Sequence, residues 1–121
     1  MDGYTTDELQ EARRPLASLI SKSEKARQKL APETWQHAML RDNLKALRHA
    51  YSLLDKDGRD AGNFTRDDLR ESLRALAAMI ARTAKTRAKF PPGTSHHTLQ
   101  RNRLKALRIA EALTKAELGK T

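Results

Sequence analysis

The residues whose types and spacing bear on chemistry in this 121-residue chain are basic ones. Arg41, Lys45 and Arg48 stand at i, i+4 and i+7, and Arg101, Lys105 and Arg108 repeat that spacing with Arg103 close by. On a helical wheel each trio falls within about 60° of arc. Lys22, Lys25 and Lys29 draw a similar stripe earlier in the chain, matched later by Arg82, Lys85 and Lys89. Cations on one face repel, so helix stability alone does not select the pattern. Such a row suits phosphates or carboxylates. The plainer reading is a solvated face that keeps the molecule soluble, which is the usual meaning of a charge run.

A second set is polar where apolar residues are expected. Arg27 and Arg87, each preceded by a hydroxyl at Ser23 and Thr83, fall in phase with Leu9, Leu16 and Ile20 or their later equivalents. With His37 and His97 nearby they would gather at one end of a bundle. There, donors beside two helix N-termini suit an anionic group. The structural alternative is that each arginine caps its own turn and snorkels outward. The carboxylates able to bend towards them are Glu24, Glu33 and Glu111.

Other chemistries find little support. His37 and His97 look like a symmetric metal pair, but two ligands are too few and no matching carboxylate stands at i+3 or i+4, so no metal is assigned. The segment from Asp55 to Asp60 resembles the start of a calcium loop. It has Arg59 at position five, Asp60 at the glycine position and Arg66 at the position of the bidentate acid, which leaves a hydrated turn. There is no Gly-rich phosphate loop, no Gly-x-Ser-x-Gly, no His-Glu-x-x-His and no Cys. Neither an enzyme nor a cofactor is expected.

The elements that carry these residues are written twice. Shifted by 60 positions, residues 5–54 overlay residues 65–114 without a gap and with 22 identities in 50. A duplication is the reading. Each copy reads as helix, tight turn, helix. Thr5-x-x-Glu8 and Thr65-x-x-Asp68 are capping boxes, Pro32 and Pro91-Pro92-Gly93 end the first helices, and Thr34 and Thr94 cap the second. Trp35 is expected to pack over its own turn. The second helix has apolar residues around roughly half its circumference, so it must touch more than one neighbour. A lone hairpin offers only one. The expected fold is an all-α antiparallel four-helix bundle of two tandem hairpins with pseudo-two-fold symmetry, a single domain with repeats at 5–54 and 65–118 and a linker at 55–64.

Composition sets the partners. Net charge is +9, and it is unevenly placed: residues 1–60 hold 11 Lys+Arg against 10 Asp+Glu, residues 61–121 hold 13 against 5. A partner held electrostatically should prefer the second hairpin. Aromatics make up 4% of the chain, which disfavours a base-stacking platform, and no named nucleic-acid motif appears. No apolar run approaches membrane-spanning length and the N-terminus is polar, so neither a membrane span nor a signal peptide is read, and a cytoplasmic monomer or homodimer is expected. The functional expectation is a non-enzymatic helical binding module that contacts a polyanion, either a nucleic-acid backbone without sequence reading or an acidic protein. The alternatives are an assembly scaffold and a small-anion binder at the turn end.

Overall fold

Each helix starts where a threonine hydroxyl meets free backbone N–H groups. The Thr5 hydroxyl accepts from the Glu8 amide while the Glu8 carboxylate accepts from the Thr5 amide, and Thr65 and Asp68 form the same reciprocal pair. Thr34 and Thr94 accept from the amides of His37 and His97, and their own hydroxyls donate back to the carbonyls of Ala31 and Pro91 at 2.8 Å. One hydroxyl thus closes the turn and opens the next helix. The computed structural model describes residues 4–54 and 64–120. It contains α1 (Thr6–Gln28), α2 (Trp35–Leu53), α3 (Arg66–Ala88) and α4 (Ser95–Gly119). Most of the expected linker, including the acidic pattern from Asp55 to Asp60, lies outside the described residues.

The first helices end before their prolines, at Gln28 and Ala88, so Pro32 and Pro91-Pro92 sit in the turns. The two turns differ at one place. Gly93 takes φ of +91°, which only glycine adopts cheaply, whereas no non-glycine among the described residues, Glu33 included, has a positive φ. Pro15 lies inside α1, which runs through it unbroken. At the far end of the first hairpin, Arg13 of α1 donates to the Leu54 carbonyl at 3.3 Å and lies over the Tyr51 ring, which caps the end of α2.

The four helices form an antiparallel bundle around one core. α1 packs on α2 and α4, α3 packs on α2 and α4, and α2 also meets α4 across the diagonal. The core draws Ala12 and Leu16 from α1, Leu76 and Met79 from α3, and Ala46, Leu47, Ala50, Ala106, Leu107 and Ala110 from α2 and α4. The alanines explain the diagonal contact, because small side chains let two helix axes approach. The broad apolar face of α2 therefore meets three neighbours. Trp35 departs from expectation: it is 70% exposed rather than packed over its turn. It is the first residue of α2, beyond the reach of the core, and Ser95 stands at the same place in α4.

Candidate anion-binding surface

The cationic trio on α2 is paired. Lys45 donates to the Asp68 carboxylate of α3 at 2.8 Å, Arg48 pairs with Glu24 of α1, and Arg41 meets its neighbour Asp42 at 3.4 Å. The trio on α4 is paired only at its middle member. Lys105 reaches Glu8 of α1 at 3.8 Å, but Arg101, Arg103 and Arg108 have no carboxylate partner among the described residues. The cause is visible in the sequence. The acids that hold Arg41 and Arg48 are Asp42 and Glu24, and sixty residues later their places are taken by Asn102 and Ala84.

Lys45 and Lys105 have a structural task as well as a charge. Each joins the second helix of one hairpin to the capping acid of the other hairpin's first helix. Asp68 is held to about pH 2 by its hydrogen bond from Lys45 and those from the Thr65 amide and hydroxyl, and the same contact raises the Lys45 ammonium above its ordinary value. A carboxylate whose pKa is lower in the folded state favours folding above its unfolded value of 3.8, and loses that contribution as pH falls towards 2. Asp68→Asn is therefore expected to melt below the native protein at pH 7, with the difference closing between pH 4 and about 2. Melting curves across that range check this; a gap that stays constant contradicts it.

Two grooves run between the hairpins, on opposite sides of the bundle. The α1–α4 groove, of ≈ 930 Å³, is lined by Arg14, Arg101, Arg103 and Lys105 above Ala12, Pro15, Leu99, Ala106 and Ile109, with Glu8 and Glu11 also in its wall. The α2–α3 groove, of ≈ 640 Å³, is lined by Arg41, Arg74, Arg82, Asp42, Glu71 and Trp35 among others. Arg14/Arg74, Glu11/Glu71 and Arg41/Arg101 are identical at the 60-residue offset, and each member lines a groove. The basic residues of the second hairpin are therefore divided. Arg101, Arg103 and Lys105 face α1, whereas Arg82 crosses to α2, where its guanidinium lies 3.6 Å from the Met39 sulfur. Lys85 and Lys89 are exposed near the end of α3, where cations complement the helix dipole.

The turn-end set is half-buried: Ser23, Arg27, His37, Thr83, Arg87 and His97 all have intermediate exposure. None of them lines either groove. Arg27 and Arg87 stand in the last turns of α1 and α3 and make no ion pair among the described residues. Two of the carboxylates expected near them are engaged elsewhere, Glu24 with Arg48 and Glu111 with Lys115. Among the described residues no three His, Asp or Glu side chains cluster as a metal site, and no helix is long and apolar enough to cross a membrane.

His49 is the residue that sequence reasoning missed. It is 2% exposed in α2, its ring stacks on Phe64 at 3.8 Å between centroids, and neither ring nitrogen has a hydrogen-bond partner among the described residues. Burial lowers its pKa, against the opposing pull of Glu117 and Asp68. The signal was available: the residue sixty places on is the buried Ile109.

No protein-family model, curated protein or solved structure matches this chain. The functional reading therefore rests on the geometry of its own side chains.

Proposed function

We propose that this chain is a non-enzymatic helical binding module that contacts a polyanion, with α4 as its principal face. The observation that carries the reading is the unpaired state of Arg101, Arg103 and Arg108, whose first and last members have ion-paired equivalents on α2. Unneutralised guanidiniums on one helix attract phosphates or carboxylates and bind them in bidentate fashion. The net charge of +9 and its concentration in residues 61–121 support long-range attraction to the same side.

Binding of duplex DNA, RNA and polyglutamate, each titrated from low to physiological salt, tests this. Affinity for at least one polyanion is expected to fall linearly on a log–log plot against salt, because neutralised charges release counterions. The triple variant Arg101→Glu, Arg103→Glu, Arg108→Glu is expected to lose binding at all salt concentrations. No binding at low salt, or binding that the triple variant retains, overturns the reading.

A further inference from the structure

We infer that the α1–α4 groove is a docking site for an acidic amphipathic helix of a protein partner. This deepens the polyanion reading by choosing protein over nucleic acid, and it rests on different features. The first is the groove's floor. The half-buried Pro15 and Leu99, which is 43% exposed and one of two large hydrophobic side chains open to solvent among the described residues, present apolar surface above the buried Ala106 and Ile109. A phosphate backbone gains nothing from such a floor, and no aromatic ring lines the groove for a base to stack on. Aliphatic side chains at i, i+3 and i+4 of a helix do gain from it.

The second feature is Arg103. Its Nε is buried, has no hydrogen-bond partner among the described residues and belongs to a residue lining the groove. The guanidinium of this half-buried arginine has no carboxylate partner among the described residues, and an acidic side chain delivered from outside supplies one. Arg101 beside it on α4 and Arg14 in the facing wall on α1, neither with a carboxylate partner among the described residues, give an incoming acidic residue further contacts. The third feature is the pattern of sign along the cleft. Glu8 and Glu11 occupy its other end, with Glu8 already on Lys105. A continuous row of phosphates would meet those two carboxylates; a helix meets them with a neutral or basic turn. The α1 residues lining the groove run from 8 to 18, a length of about 15 Å or three turns, which matches a short docked helix. A second copy of this chain is a poor occupant, because its net charge of +9 repels its twin.

The test uses a synthetic 14-residue peptide with leucines at i, i+3, i+4 and i+7 and glutamates at its centre. The controls are a scrambled peptide of equal composition, a 14-residue polyglutamate and a short DNA duplex. The patterned peptide is expected to bind at least tenfold more tightly than the scrambled one. It should perturb the Leu99 and Ile109 methyl resonances. Arg103→Asn should weaken it at least tenfold, while Arg74→Asn, an equal loss of charge in the opposite groove, should leave it unchanged. Equal binding of patterned and scrambled peptides, or preference for DNA or polyglutamate with Arg103→Asn without effect, overturns the inference. If polyanions bind and the patterned peptide shows no advantage, the broader reading survives and this one fails. If the patterned peptide binds at the groove and neither DNA, RNA nor polyglutamate binds, the reverse holds.

Discussion

His49→Ile is expected to raise the melting temperature at pH 7 and to flatten its dependence on pH between 7 and 5. The histidine is enclosed, and both of its ring nitrogens lack a partner among the described residues. Leaving a buried polar group unsatisfied costs about 1–3 kcal/mol, so an aliphatic replacement of similar size recovers about 2 kcal/mol, or roughly 5–10 °C for a domain of this size. Isoleucine is the apt choice because Ile109 fills the corresponding place in α4 at 1% exposure. The loss is the stack on Phe64, which is smaller than the gain. The pH dependence follows from the direction of the shift. Burial lowers the folded-state pKa below the unfolded value of 6.5. Below that value the unfolded chain takes up a proton that the folded chain refuses, and stability falls until the folded pKa is reached. Two charges act on the ring, Glu117 from α4 and Asp68 from α3, and both favour protonation, while Lys45 lies over the neighbouring Phe64 ring at 5.7 Å. Because Asp68 keeps its own charge down to about pH 2, its acid loss falls in a separate window. Melting curves of both proteins between pH 4 and 8 decide the matter. An unchanged or lower melting temperature for the isoleucine variant means that the imidazole is satisfied in solution.

What could be read from the sequence was local, and what could not was set by how the hairpins meet. The four threonine caps depend on residues three apart, so Thr5, Thr34, Thr65 and Thr94 announced every helix start. The width of the apolar face on α2 announced a helix with several neighbours. The pairing of Lys45 with Asp68 spans 23 residues and two hairpins. Nothing in the i, i+4, i+7 spacing of Arg41, Lys45 and Arg48 told which of them would find an acid across the interface. The same limit split the predicted basic surface, since Arg82 and Arg101 share a hairpin yet line opposite grooves. His49 was hidden for a different reason. A histidine inside an apolar arc reads as polar, and only the isoleucine at the matching place marks the position as interior.

Pro15→Ala is expected to stabilise the fold and to weaken whatever the α1–α4 groove binds. Pro15 is the tenth residue of the 23-residue α1. It has no N–H to offer the Glu11 carbonyl, and its ring crowds that oxygen; in a helix interior this costs about 3 kcal/mol relative to alanine. Alanine returns some conformational freedom to the unfolded chain, an opposing effect of about 0.4–1 kcal/mol, so the net gain is about 2 kcal/mol. Ala75, at the matching place in α3, shows that a helix with this sequence pattern accepts alanine there. Pro15 and Glu11 both line the larger groove, so the carbonyl released by the proline is an acceptor within reach of water or of a docked chain. Restoring the helical hydrogen bond removes that acceptor from the groove wall. Stability and binding are then set against each other at one residue. The expected signature is a melting temperature higher by roughly 5–10 °C together with weaker binding of the patterned acidic peptide. A more stable variant with unchanged peptide affinity assigns Pro15 to the fold alone, and a less stable one means that the packing of the proline ring outweighs the missing hydrogen bond.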